Sequence, residues 1–335
     1  MSQATRSARL RLSAGAPAAR ILGLGSFQPE QVVTNDDIAQ RGVDTNDEWI
    51  RDRVGIIERR IAGPETSLVD MAVEAGAKAV ADSGLTPSDV GTVIVANCTM
   101  PSGIPNAAAQ TADRIGARAA GAFDVNGACA GFCYALGVAS DLVRAGSSRH
   151  VLVIGAEKMS DWLDWQDRST CIIFADGAGA TVVGPAASAE EAGIGPVAWG
   201  SAGELVHTIG INLATHGLYQ EGQAVFRWAT TQIAPVALHA VELAGLTPAD
   251  IDVFVPHQAN LRIVEAVAKR LRAAGARADL RVADDIVYSG NTSSASIPMA
   301  LDHMRAAGQV QRGEIALFVG FGAGLTYAGQ VVVCP

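Results

Sequence analysis

Short runs of consecutive apolar residues alternate along this chain with longer alanine-rich stretches. Runs at 92–96, 151–155, 252–255 and 316–320 are dominated by Val, Ile, Leu and Phe. Apolar on both faces rather than on alternate positions, they predict strands of a sheet covered by helices on both sides. Alanine-rich stretches at 72–83 and 234–244 predict helices. Phe132, Leu136, Ala139 and Val143 recur at helical spacing and mark a buried helix face. An amphipathic helix is predicted over 261–272 and another helix over 296–306. The run Cys171-Ile172-Ile173-Phe174 reads as strand-like.

The pattern occurs twice. Gly84-Leu85-Thr86-Pro87-Ser88-Asp89-Val90 nearly repeats as Gly245-Leu246-Thr247-Pro248-Ala249-Asp250-Ile251, each copy between an alanine-rich helix and a strand. Val151-Leu152-Val153-Ile154-Gly155 parallels Ala316-Leu317-Phe318-Val319-Gly320. The two matches lie 161 and 165 residues apart, so one duplication explains both. We expect an α/β protein of two similar halves, 18–190 and 225–335, joined by a variable segment over 191–224. A flexible, basic, Ser- and Ala-rich extension over 1–17 carries Arg6, Arg9 and Arg11. It lacks the apolar core of a secretory signal.

Composition narrows the class. Of 335 residues, 49% are apolar and 18% charged, which implies a large buried fraction. Mean hydropathy is +0.23, yet no run of 18 residues free of polar breaks is expected to span a membrane. A net charge of −9 argues against a nucleic-acid backbone as partner. The five cysteines, at 98, 129, 133, 171 and 334, have neither the density of a disulfide scaffold nor metal-ligand spacing. A reduced, cytoplasmic protein without a bound metal is expected.

Candidate chemistry starts at Cys129. The stretch Asp124-Val125-Asn126-Gly127-Ala128-Cys129-Ala130-Gly131-Phe132 runs from a strand through small residues into a helix, where peptide dipoles favour thiolate. Cys133, Cys98 and Cys171 fit packing. Of the six histidines, His257 alone follows a strand end and sits beside a second polar cluster. Asn291 precedes a Ser/Thr run suited to capping the helix at 296–306; taken alone it fits a turn-and-cap role. In open α/β sheets active sites gather beyond the carboxyl ends of strands, and Cys129, His257 and Asn291 are each expected to follow one. Together they supply a nucleophile, a proton-handling ring and an amide donor.

At these residues the chain resembles the β-ketoacyl-acyl carrier protein synthase III family of the thiolase-like superfamily, from about Ala18 to Val333. The matching motifs are Thr45-Asn46-Asp47-Glu48-Trp49-Ile50, residues 124–132, Asp176-Gly177-Ala178-Gly179-Ala180, residues 256–262, residues 290–296 and Gly320-Phe321-Gly322-Ala323-Gly324. The resemblance implies a thiolase-like five-layered α/β/α/β/α fold and a homodimer. It implies that Cys129 takes an acyl group from acyl-CoA. Malonyl-acyl carrier protein then loses CO₂ and its enolate attacks the acyl-cysteine, with no cofactor beyond the CoA substrate. His257 and Asn291 would stabilise the enolate, His257 as a neutral ring. The N–H groups of Cys129 and Gly324 would form the oxyanion hole. Trp49 and Arg168 would sandwich the CoA adenine, Arg53 would meet its phosphates, and Arg262 would steer an acidic carrier. Met100 and Ile104 would shape the acyl pocket across the dimer. The segment 203–221, with His207 and His216, would lie at the tunnel mouth.

The main rival within the fold is a priming ketosynthase or acyltransferase of secondary metabolism with an unusual starter or acceptor. A thiolase would need a second cysteine where Gly322-Ala323-Gly324 stands. A hydroxymethylglutaryl-CoA synthase would add a glutamate acid. A chain-length factor would lack Cys129. A cysteine hydrolase would need water at the acyl-enzyme.

Overall fold

The computed structural model describes residues 13–212 and 214–335. The expected flexible extension lies mostly outside the described residues. Its last part is attached: Ser13 Oγ donates to the Ala145 carbonyl at 2.6 Å and the Ala16 N–H to that of Val143 at 3.3 Å.

The predicted strands build two five-stranded sheets with the same plan. In the first, Ala18–Phe27 is followed across the sheet by Asp176–Ala186, Val151–Lys158, Thr92–Ala96 and Gly121–Val125. In the second, Ala198–Ser201 is followed by Thr326–Val333, Ile315–Gly322, Val253–Pro256 and Arg281–Val282. Each sheet has two antiparallel pairings and then two parallel ones. Ala198–Ser201 completes the second sheet from inside the segment expected to be a linker. The repeated heptapeptides also fold alike. Gly84 and Gly245 take φ of 73° and 72°, and the Asp89 and Asp250 carboxylates accept from the N–H of Thr86 and Thr247 at 2.8 and 2.7 Å. A proline, a carboxylate three residues after a threonine and a left-handed glycine suffice to fix this turn locally.

Strand alternation produces the layers. Ile94, Val151 and Val153 face the middle of the molecule, where they pack with Val253, Val255, Ala316 and Phe318 of the second sheet. Their neighbours Val93, Val95, Leu152 and Ile154 face an outer layer formed by helices Leu68–Asp82 and Ala107–Ile115. Phe254, Leu317 and Val319 face the opposite outer layer, formed by Gly222–Leu243 and Leu261–Ala273. Helices Gly131–Ala145 and Ser296–Ala306 fill the middle. The fold is α/β/α/β/α.

The stretch Ala128–Ala145 is long and apolar enough to cross a membrane by length and composition alone; Ser140, Asp141 and Arg144 interrupt it, and it is 61% buried here. Its apolarity comes from packing between two sheets, which leaves little of its circumference for polar residues. Cys171 closes a short helix, Arg168–Cys171, instead of opening a strand; Asp167 caps that helix by accepting from the Ser169 N–H, and local capping overrides the β-branched run.

The halves approach very closely beside Gly155. A Cβ on Gly155 would lie 2.4 Å from the Ser294 carbonyl oxygen, so strand Val151–Lys158 passes against the turn Ser293–Ala295 with no room for a methyl group. Gly155→Ala should destabilise the protein by about 1–3 kcal/mol and lower its thermal midpoint by a few degrees. An unchanged midpoint in differential scanning calorimetry would contradict this packing.

Candidate active site

Cys129 lies in the 3-10 turn Ala128–Ala130, after strand Gly121–Val125 and directly before helix Gly131–Ala145. Ala128 takes φ of 46°, an uncommon conformation for a residue with a side chain. Strand Ile315–Gly322 presses on this turn: a Cβ on Gly322 would stand 2.7 Å from Cys129 N and 3.0 Å from its Sγ. The glycine motif of the second half therefore admits the nucleophile turn of the first. Cys129 keeps partial exposure. Cys133, one turn on, is buried, as its packing role requires.

His257 follows strand Val253–Pro256, as expected, and is 2% exposed. Its backbone N–H donates to the Val319 carbonyl at 2.8 Å. The ring meets Phe321 edge-on, with centroids 5.3 Å apart. Nδ1 lies 2.8 Å from Ser296 Oγ. That hydroxyl also accepts from the Gln258 N–H at 3.3 Å, so its own proton is available to Nδ1. This assignment puts the imidazole proton on Nε2. Burial pushes the ring's pKa down to about 3, so it is neutral at physiological pH.

Asn291 departs from expectation. It follows the short helix Ile286–Ser289, not a strand, and forms a single bridge with Phe174. It is 5% exposed. Its Oδ1 accepts from the Ser293 N–H at 2.9 Å, which orients the amide and turns Nδ2 outward as a donor. The Ser/Thr run after it does not cap the next helix: residue Ala295 stands at the cap and no side chain bonds there. Ser293 Oγ instead lies 3.3 Å from Cys129 Sγ, Ser294 Oγ lies 2.8 Å from the Ala96 carbonyl, and Ser296 holds His257. One segment, 291–296, thus carries Asn291 and touches both other residues of the set.

The thiol is not a resting thiolate. Burial pushes the Cys129 pKa from 9.0 up to about 12, and the nearby Glu157 carboxyl opposes ionisation further. That rise is worth roughly 4 kcal/mol, whereas a helix N-terminus offers about 0.3–2 kcal/mol. Desolvation wins.

The outer residues also assemble. The Arg168 guanidinium lies over the Trp49 ring at 4.6 Å and that of Arg53 at 5.5 Å. A planar ring between Trp49 and Arg168 would need two stacking distances of about 3.5 Å each, so Arg168 must swing aside to admit one. Arg262, exposed in the first turn of Leu261–Ala273, lies over Phe226 at 5.7 Å. It neighbours Asn260, whose amide donates to the Arg53 carbonyl at 3.2 Å. The hairpin 209–220 sits beside this cluster, tied by Gln220 Nε2 to the Ser169 carbonyl at 2.7 Å. Gly324 lies in the loop after Ile315–Gly322, and Thr326 Oγ1 fastens this loop to the Gly127 carbonyl at 2.9 Å. Met100 packs into the outer layer of the first half, and Ile104 is 88% exposed. A groove of about 570 Å³ beside Trp199, Trp228 and Tyr327 is lined by none of Cys129, His257 and Asn291. Among the described residues no three His, Cys, Asp or Glu are grouped to hold a metal ion.

Comparison with known proteins decides the family. The sequence matches the family model described as 3-oxoacyl-[acyl-carrier-protein (ACP)] synthase III over residues 123–203, and that of the C-terminal part over 241–334. It is 51% identical to beta-ketoacyl-[acyl-carrier-protein] synthase III 4 of Streptomyces coelicolor, over 94% of this chain and 98% of the relative. The chain belongs to the 3-oxoacyl-[acyl-carrier-protein] synthase III family. Beta-ketoacyl-[acyl-carrier-protein] synthase III of Mycobacteroides abscessus is 46% identical, over 94% of each chain. The crystal structure of the priming beta-ketosynthase from the R1128 polyketide biosynthetic pathway has a TM-score of 0.92 at 41% identity, over 97% of this chain and 98% of that one. The fold is thiolase-like, and the protein is a condensing acyltransferase of the synthase III family.

This synthase III family member has site residues that the sequence reading missed. Glu157, at 0% exposure, accepts from Thr99 Oγ1 at 2.6 Å and the Cys98 N–H at 3.1 Å and lies 3.0 Å from Ser293 Oγ. Cys98, assigned to packing, has its Sγ 3.4 Å from the same carboxyl and belongs to this cluster. The available signal was a charged pair, Glu157-Lys158, closing an otherwise apolar strand.

The neutral His257 has a measurable signature. Its folded pKa, about 3, lies below the unfolded value of about 6.5. Its contribution to stability is therefore complete above about pH 6.5 and is lost as pH falls toward 3. Heteronuclear NMR of the His257 ring should show an Nε2-protonated neutral imidazole with no titration between about pH 5 and 9. An inflection near pH 6.5 would contradict its burial.

Proposed function

We propose that Cys129, His257 and Asn291 catalyse a decarboxylative Claisen condensation of an acyl-CoA starter with malonyl-acyl carrier protein. Cys129 attacks the acyl-CoA thioester, keeps the acyl group and releases CoA. The malonyl group then loses CO₂, and its enolate attacks the acyl-cysteine to give a β-ketoacyl-carrier product. Decarboxylation generates the carbanion, so no strong base is required. The Nε2–H of His257 and the Nδ2–H of Asn291 meet the oxygen where enolate charge develops. A neutral ring suits that task because it donates without releasing its proton. The backbone N–H groups of Cys129 and Gly324 serve the oxyanion of acyl transfer. The observation that carries this reading is the segment 291–296, which presents Asn291 and contacts Cys129 and His257 together.

The approach to this centre follows from charge and stacking. Trp49, Arg168 and Arg53 receive the CoA adenine and phosphates once Arg168 moves off the indole. Arg262 steers an acidic carrier protein despite the overall charge of −9. The segment 203–221 borders the mouth between the nucleophile half, 18–190, and the half that brings His257 and Asn291, 225–335. A second copy of the chain covers the first sheet's open edge: Gly121–Val125 pairs on one side only, with Phe123 37% exposed and Ile104 88%, and bare apolar edges call for a partner. In that dimer Met100 and Ile104 limit the acyl chain. The place of work is the cytoplasm, where free thiols stay reduced. The likeness to a priming beta-ketosynthase favours one second reading, in which the same residues load an unusual starter for a polyketide. Intact-mass measurement with a panel of acyl-CoAs separates the two.

Cys129→Ala should abolish acyl-enzyme formation; full labelling by acyl-CoA in that variant would overturn the assignment. His257→Ala and Asn291→Ala should retain self-acylation and lower condensation by about 10²–10³-fold. Equal loss of both half-reactions in single-turnover kinetics would instead make His257 a general base.

A further inference from the structure

The buried Glu157 carboxyl has no role in the steps above, yet Ser293 joins it to the reacting sulfur. Ser293 Oγ lies 3.3 Å from Cys129 Sγ and 3.0 Å from Glu157 Oε1, and a hydroxyl has one proton to give. Two arrangements satisfy the chain. In one, the Cys129 S–H donates to Ser293 and Ser293 donates to the Glu157 carboxylate. In the other, a protonated Glu157 donates to Ser293 and Ser293 donates to a Cys129 thiolate. They differ only by a concerted shift of two protons. We propose that Ser293 and Glu157 carry the Cys129 proton away during acyl transfer and return it after condensation. Ser293 touches the reacting sulfur; Glu157 acts through it, as a positioning residue that also holds the proton.

The surroundings suit the task. The Cys98 N–H and Thr99 Oγ1 donate to the carboxyl at 3.1 and 2.6 Å, and Ser294 Oγ stands 2.8 Å from both the carboxyl and the Ala96 carbonyl, with one proton for the two. Burial raises its pKa, which makes it a better proton acceptor than an ordinary carboxylate. The titratable groups facing it are the thiols of Cys98 and Cys129. Lys158 points to the other face of the strand and pairs with Asp161 at 3.2 Å. Asp176, opposite Lys158 across the sheet, is engaged by Ser160 and the Ala62 N–H. Asp124 on the nearby strand is held by Asn97 and the N–H groups of Ala107 and Ala108. His257, from the second sheet, is committed to Ser296. No cation among the described residues competes for the Glu157 carboxylate.

Protons and electrons balance over the cycle, given the condensation proposed above, on which this inference rests. In acyl transfer the Cys129 Sγ–acyl bond forms and the CoA sulfur–acyl bond breaks. CoA leaves as thiolate with the electron pair and is protonated by solvent. The Cys129 proton passes to Ser293, and the Ser293 proton passes to Glu157. In condensation the enolate left by CO₂ attacks the acyl carbon, and the Cys129 Sγ–acyl bond breaks with its pair on sulfur. Ser293 protonates that sulfur and is reprotonated by Glu157. One solvent proton is consumed per turnover.

The test is the pH dependence of Cys129 alkylation by iodoacetamide, read by peptide mass, in the wild type, Glu157→Gln, Glu157→Asp and Ser293→Ala. This needs no acyl substrate, so it fails or succeeds apart from the acyl-CoA labelling that tests the function. Loss of the relay should lower the neutral-pH rate by about 10²-fold in both Glu157→Gln and Ser293→Ala, with recovery at alkaline pH where the thiol ionises unaided. Glu157→Asp should restore part of the wild-type profile, and the Glu157→Gln/Ser293→Ala double variant should lose no more than either single one. If Glu157→Gln does not fold, the Ser293→Ala profile alone decides. A wild-type profile in either variant, faster alkylation in Glu157→Gln through removal of a neighbouring negative charge, or a pH-independent loss would overturn the proposal.

Discussion

The structure depends on the close approach of its two halves around the segment 291–296. Backbone passes against backbone there because Gly155 on one sheet and Gly322 on the other lack side chains. The first admits the turn that carries Ser293 and Ser294, and the second admits the turn that carries Cys129. A methyl group at either place would separate the halves, and with them the thiol, the imidazole and the amide. The five layers hold this contact rigidly: one continuous core of alternate strand residues from both sheets packs on the two middle helices.

Burial sets the chemistry of the site. It keeps His257 neutral and Cys129 protonated, and it raises the Glu157 carboxyl toward protonation. Burial acts against the charged form of each group, and at Glu157 the hydrogen bonds from Thr99, the Cys98 N–H, Ser294 and Ser293 act in the opposite direction. Hydroxyls hold the reacting groups: Ser296 fixes the imidazole tautomer, and Ser293 stands between sulfur and carboxyl. A serine-rich segment suits this position because a hydroxyl can donate and accept at once and can exchange those roles by rotation.

The duplicated fold was legible because its signals are local. A seven-residue turn with its own carboxylate cap, and strands apolar on both faces, can be recognised without knowing what they touch. Cys129 and His257 were legible for the same reason, since each stands just beyond a strand whose sequence announces it. Trp49, Arg53 and Arg168 came from family resemblance alone, and the indole–guanidinium stack that joins Trp49 to Arg168 connects elements far apart in sequence. Glu157, Ser293, Ser296 and Cys98 went unread because their roles exist only through long-range contacts: Ser293 meets Glu157 across 136 positions and Cys129 across 164. The serines resembled a helix cap, and a thiolate was expected where dipole and desolvation compete. In both cases the long-range environment overruled the local rule.

The most direct test of this account is a crystal structure of the protein after reaction with an acyl-CoA. It should show the acyl group bonded to Cys129 Sγ, with His257 Nε2 and Asn291 Nδ2 opening onto the same cavity above the thioester. An acyl group on Cys98 or another residue, or His257 and Asn291 facing a cavity separate from the thioester, would contradict it.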